Sequence, residues 1–160
     1  MNKQLWAPWR QEIIYQRRHK RCIFCVKPKE KKDPQNYIFM RRRHSFAILN
    51  LYPYNNGHVM VVPHRHVGTL EALTPRELLA LMLHVRDCQK TLRKILKPHG
   101  FNIGVNEGRV GGAGFKNHVH LHIVPRWSGD TNFMPVLSDT KVISESLAIL
   151  YRKLTHAQSR

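Results

Sequence analysis

The chain has 160 residues, 42% of them hydrophobic and 23% charged, with a formal net charge of +17 at pH 7. That length and balance predict one globular domain with a real core and exclude a disordered chain. No run of about 18 apolar residues occurs, which excludes a membrane-spanning helix, and a field of this sign draws in polyanions, nucleoside polyphosphates and nucleic acid among them.

In chain order, residues 1–21 place Trp6 and Trp9 around Pro8 and then turn basic through Arg17-Arg18-His19-Lys20-Arg21. They predict an irregular arm or short helix packed on the body, without the apolar centre of a signal peptide. Cys22 to Asp33 reads as a loop, and its lysine-rich end before Pro34 marks a turn. Tyr37 to Met40 and Ser45 to Leu51 read as two strands, Tyr52-Pro53-Tyr54-Asn55-Asn56-Gly57 as a turn, and His58 to Pro63 as a third strand. Thr74-Pro75-Arg76-Glu77 predicts a helix start, with Thr74 as cap, Pro75 at the first helical position and Glu77 completing a capping box. Leu78, Leu81, Met82, Val85, Leu92, Ile95 and Leu96 continue it as a helical stripe that ends before Pro98 and Gly100, with Cys88 as a small packed residue. Phe101 to Asn106 predicts a fourth strand, Glu107 to Phe115 a Gly-rich loop, the segment from His118 a fifth strand, and Ser144 to Leu154 a last helix. The expected fold is α+β: a mainly antiparallel five-stranded sheet with one long helix and a C-terminal helix. One domain is expected over residues 1–160, with an arm (1–21), a core (22–136) and a C-terminal segment (137–160).

The chemistry concentrates in His118-Val119-His120-Leu121-His122-Ile123-Val124-Pro125. Alternation with aliphatic residues predicts a strand that sends three imidazoles from one face, neighbours ~6.5 Å apart at a rise of ~3.3 Å per residue. A metal needs its nitrogens at ~2.0–2.1 Å, so three ligands in a straight row converge poorly. The row suits a central imidazole held between two helpers. A neutral imidazole is a good nucleophile toward phosphorus at neutral pH. Cys22-x-x-Cys25 presents two thiolates on a tight turn, half of a tetrahedral zinc site. Three cysteines so arranged suggest reduced thiols and metal binding in the cytoplasm rather than a disulfide framework.

The triad run resembles the His-φ-His-φ-His-φ-φ signature of the histidine-triad (HIT) nucleotide hydrolases and transferases, where φ is apolar. Leu5-Trp6-Ala7-Pro8-Trp9-Arg10, Cys22-Ile23-Phe24-Cys25, Gly57-His58-Val59-Met60-Val61-Val62-Pro63 and Trp127-Ser128-Gly129-Asp130-Thr131-Asn132-Phe133-Met134-Pro135-Val136 are similar to the bacterial diadenosine tetraphosphate phosphorylase or hydrolase branch of that family. The resemblance spans residues 5 to 136. It implies a homodimer with one continuous sheet and a nucleotide or dinucleoside polyphosphate substrate. It further implies attack by His120 on the α-phosphorus, with transient nucleotidylation. His122 would hydrogen-bond a phosphoryl or bridging oxygen, and the main chain of Gly111, Gly112 and Gly114 would cradle phosphate. Gly114 stands where many relatives carry Gln, Ser or Thr, which leaves that contact to the main chain. Asn50 matches the residue holding the ribose hydroxyls, Asn106 the polar residue before the Gly-rich loop, and His58 a residue orienting the triad. Zinc-bearing relatives imply a structural ion on Cys22, Cys25, His66 and His118, with His64 as a substitute for His66.

Charge and Cys-x-x-Cys leave a second class open, a zinc-stabilised nucleic-acid-binding module, although no aromatic-interleaved platform or recognition helix stands out. A metalloenzyme using two triad histidines as ligands is a third. Hydrolysis and phosphorolysis are equally compatible with the sequence.

Overall fold

The computed structural model describes residues 21–131 and 142–158. The N-terminal arm with Trp6 and Trp9, and the segment from Asn132 to Val136, lie outside the described residues. The chain runs through α1 (Ile23–Val26), a 3-10 turn (Lys27–Lys29), α2 (Asp33–Asn36), β1 (Ile38–Arg41), β2 (Ser45–Leu49), β3 (Val59–Pro63), α3 (Pro75–Leu96), β4 (Gly100–Val105), β5 (Leu121–Arg126) and α4 (Leu147–His156). Five strands form one sheet in the order β1-β2-β3-β5-β4, every neighbouring pair antiparallel. This is the expected α+β class.

The α3 start follows its sequence. Thr74 Oγ1 accepts the Glu77 N–H at 3.3 Å and Glu77 Oε2 accepts the Thr74 N–H at 2.8 Å, with Pro75 at the first helical position. Lys97, left-handed at φ 46°, ends the helix. Its stripe departs from expectation at Met82, which is 54% exposed, because the buried face runs through Leu81, Val85, Cys88 and Leu92. The region from Cys22, expected as loop to Asp33, instead folds into single helical turns, with Pro28 and Pro34 pre-setting the backbone of two of them.

Period-two alternation divides the sheet. Val59, Val61, Leu121 and Ile123 face α3 and α4 in the larger core, with Leu81, Val85, Leu92, Leu150 and Leu154. Met60 and Val62 face the opposite side, where they pack with Phe24, Phe46 and Ile48. In register, His122 lies between Met60 of β3 and Gly104 of β4, so it leaves the sheet on the face away from the helices. The strand ladder begins at Leu121, not at His118 as expected. Before it, the Val119 N–H donates to the Val67 carbonyl at 2.7 Å, which holds His118 and His120 on a lead-in segment. Across the start of the ladder the His120 and His122 ring centroids are 4.9 Å apart.

Candidate active site

His120 is 3% exposed, and its Nδ1 lies 2.9 Å from the main-chain oxygen of His118. A carbonyl can only accept, so Nδ1 carries the proton and Nε2 keeps its lone pair. Burial lowers the His120 pKa and the carbonyl contact partly opposes this. The central imidazole is therefore a neutral base with a defined tautomer.

A chain of contacts fixes His122 in the complementary form. The Tyr54 N–H donates to His58 Nδ1 at 3.0 Å, so His58 bears its proton on Nε2. That Nε2 lies 2.9 Å from His122 Nδ1, which must accept, and the His122 proton sits on Nε2. Burial, followed by the neighbouring His122 and His120, pushes His58 down to about 3; burial and then His120 push His122 down to about 4. His58, expected from the sequence as a residue beside the triad, touches it through His122. Asn50 joins it from the side: its Oδ1 accepts the Tyr52 N–H at 2.9 Å and its Nδ2 lies 3.3 Å from His58 Nδ1.

The Gly-rich loop lies before the triad. At Gly111 a Cβ would come 2.2 Å from the Glu107 carbonyl oxygen, and Gly112 has φ +84° with the Asn106 side chain beside it, so both positions require glycine. Gly114 has open space around its Cβ position. The Gly112 and Ala113 N–H groups donate within the loop, to the Arg109 and Gly108 carbonyls. Among the described residues, those of Gly111 and Gly114 have no partner.

His118 turns away from the other two. Its Nε2 donates to the Pro63 carbonyl at 2.9 Å, leaving the Nδ1 lone pair directed at Cys22 Sγ (3.3 Å), Cys25 Sγ (3.6 Å) and His66 Nδ1 (3.2 Å). Cys25 Sγ is 3.3 Å from His66 Nδ1, and the four donor atoms lie within 4.8 Å of one another. A tetrahedral zinc with Zn–S ~2.3 Å and Zn–N ~2.0–2.1 Å separates its ligands by roughly 3.3–3.8 Å. The donor set and its spacing fit such an ion, and a histidine N–H on a carbonyl is the usual support for a metal-binding imidazole. His64 is elsewhere, with its Nε2 3.1 Å from the Arg42 carbonyl oxygen and its ring stacked on Phe46.

The HIT domain profile matches residues 31–129, more than half of the chain. The chain belongs to the HIT family. One relative, the AP-4-A phosphorylase of Mycobacterium tuberculosis H37Rv, is 36% identical over 167 aligned residues, covering 99% of this chain and 85% of that protein. The asymmetrical bis(5'-nucleosyl)-tetraphosphatase of Schizosaccharomyces pombe is 38% identical over 115 residues, 71% of this chain and 63% of the relative. In fold, the chain is similar to a Zn-bound histidine triad family protein from Mycobacterium smegmatis, with a TM-score of 0.70, 23% identity, and coverage of 86% and 93% of the two chains.

Two residues of this HIT site escape sequence reasoning. Phe24, between the two cysteines and 1% exposed, packs its ring 5.5 Å from His118 and 5.0 Å from His120. It ties the Cys-x-x-Cys turn to the central histidine. Tyr54, 57% exposed, roofs the His58–His122 pair at centroid distances of 4.6 and 5.8 Å. The only sequence signal for either was an aromatic inside a motif read for other reasons.

Proposed function

We propose that the protein cleaves dinucleoside polyphosphates such as diadenosine tetraphosphate through a covalent nucleoside monophosphate on His120. A hydrolase or nucleotidyltransferase acting on phosphoanhydride bonds is what its named relatives have in common. The observation that carries this reading is the hydrogen bond from His120 Nδ1 to the His118 carbonyl, which leaves Nε2 as a free nucleophile.

In this mechanism His120 Nε2 attacks the α-phosphorus, an N–P bond forms, and the bond from phosphorus to the bridging oxygen breaks. His122 Nε2–H hydrogen-bonds that oxygen as its charge grows, and ATP departs from diadenosine tetraphosphate. Water or inorganic phosphate then displaces His120 from phosphorus, releasing AMP or ADP. Gly111 and Gly114 main-chain N–H groups, with Asn106, stabilise charge on the phosphoryl oxygens. Asn50 reaches the ribose hydroxyls from its place beside His58. Positioning and charge neutralisation supply most of the rate enhancement, as in other phosphoryl transfers.

The cluster of Cys22, Cys25, His66 and His118 holds one zinc ion in this reading. These four side chains would hold the ion, which would supply folding energy and take no part in the transfer. His118 then links the Cys-x-x-Cys turn to the segment bearing His120. Thiolate ligands of this kind suit a reducing compartment, the cytoplasm. Among the described residues no helix is long and apolar enough to cross a membrane. A homodimer is part of this reading, supported by β4, an edge strand whose Asn102, Ile103 and Gly104 are exposed. Light scattering reads the dimer directly. Incubation with diadenosine tetraphosphate tests the reaction: ATP with AMP reports hydrolysis, and ATP with ADP in phosphate buffer reports phosphorolysis. Failure to consume the dinucleotide under both conditions rejects it.

A further inference from the structure

Beside the Gly-rich loop lies a cavity of about 840 Å3, whose basic and aromatic lining residues have no part in the chemistry above. Gly114 and Phe115 line it from the loop, and Arg21, Lys29, Lys116 and Asn117 line it elsewhere; the thiol and imidazole cluster forms its inner wall. None of Arg21, Lys29 and Lys116 has a carboxylate partner among the described residues. The one carboxylate at the rim, Glu30, is engaged by Asn36 Nδ2 at 2.7 Å. Phe115 is 39% exposed, and its ring packs edge-on against Phe24 at 5.1 Å. Phe24 in turn touches the His120 ring, so the cavity begins two ring contacts from the nucleophile. The volume lies in the range of small-ligand sites, about 300–1,000 Å3.

We infer that this cavity is the subsite for the leaving half of the substrate, a nucleoside polyphosphate whose base stacks on Phe115 and whose phosphates lie against Lys29, Lys116 and Arg21. This rests on the nucleotidyl-transfer reading of His120. Three cations without a carboxylate partner among the described residues match the charge of a polyphosphate, and Gly114 in the cavity lining belongs to the loop that cradles the attacked phosphate in that reading. A single exposed ring serves a single base; a groove for single-stranded nucleic acid presents successive aromatic platforms. The same cations replace the side-chain phosphate donor that Gly114 lacks.

The test compares diadenosine tetraphosphate with the p-nitrophenyl ester of AMP, which carries the attacked half and no second nucleoside. In the Lys29→Ala/Lys116→Ala variant, KM for the dinucleotide should rise about tenfold or more, because charge-assisted contacts to phosphate are lost. The ester's kcat/KM should stay within about twofold of wild type. Phe115→Leu, which keeps an apolar contact to Phe24, should shift the same way for the dinucleotide alone. Equal losses on both substrates, or no loss on either, overturn the subsite. A binding measurement separates this from the transfer chemistry. ATP is titrated into His120→Asn protein saturated with AMP, and the lysine variant should lose that binding. Binding that is unchanged, or an oligothymidylate that binds in place of ATP and more tightly, overturns it. Wild type that turns over neither substrate while the lysine-dependent ATP binding persists rejects the covalent mechanism and leaves the nucleotide subsite supported.

Discussion

Replacing His58 tests the proton arrangement of the site without touching the nucleophile. His58 is 1% exposed and contributes one N–H, from Nε2 to His122 Nδ1 at 2.9 Å. In His58→Leu that donor disappears, and the Tyr54 N–H and the Asn50 amide lose their acceptor. His122 Nδ1 is then left without a partner, and the tautomer with its proton on Nε2 is no longer favoured over the alternative. An unsatisfied buried partner costs about 1–3 kcal/mol. At ~1.4 kcal/mol per tenfold in rate, kcat should fall roughly five- to hundredfold, provided His122 acts through its Nε2–H. His58→Gln, whose amide can donate to the same nitrogen, should recover part of the loss. The assay is steady-state turnover of diadenosine tetraphosphate, with thermal unfolding to confirm that both variants are folded. A folded His58→Leu protein with kcat within about twofold of wild type would refute the donor chain from Tyr54 to His122, because no cost of the expected size would then attach to breaking it.

Three further outcomes follow from the same geometry. Protein purified without chelator should contain one zinc per chain by elemental analysis, and Cys22→Ser should lose both the metal and several degrees of Tm, since structural zinc contributes folding energy; metal-free wild type of unchanged Tm contradicts this. Acidification should destabilise the fold. Burial holds His58 at about 3 and His84 and His122 at about 4, below their ordinary 6.5. Below pH 6.5 the unfolded chain therefore binds protons that the native state refuses, so the stability present above that pH is lost as pH falls toward the folded values, at up to about 1.4 kcal/mol per unit for each histidine. Denaturant midpoints that do not change between pH 7.5 and 5.5 would show that these imidazoles are not held neutral. Finally, Gly111→Ala should depress kcat/KM strongly because its Cβ meets the Glu107 carbonyl oxygen at 2.2 Å, whereas Gly114→Ala, in open space, should stay near wild type; equal kinetics for the two variants would contradict the assigned loop geometry.

The two-residue period around the histidines is enough to separate the two faces of β5, because Leu121 and Ile123 enter the larger core while His122 between them leaves on the other face. The α3 start was equally readable, since Thr74, Pro75 and Glu77 act on one another within a single turn. Where partners are distant, the chain alone says less. The lead-in before Leu121 depends on Val119 meeting Val67, and the proton on His58 depends on the Tyr54 main chain. Spacing marked Cys22 and Cys25 as half a site; His66 and His118 came from family resemblance, and only the folded chain turns His64 toward the Arg42 carbonyl instead. The turns between Cys22 and Asn36 are three or four residues long and carry no detectable period. Phe24 was hidden by the cysteines on either side of it, although its ring is what joins their turn to His120.

The measurement that bears most directly on the central claim is mass spectrometry of protein quenched in acid-free conditions during turnover of diadenosine tetraphosphate. A covalent AMP confined to the peptide bearing His120, absent from His120→Asn, is the predicted result. An adduct on His122 or His118, or full turnover by His120→Asn, would contradict it.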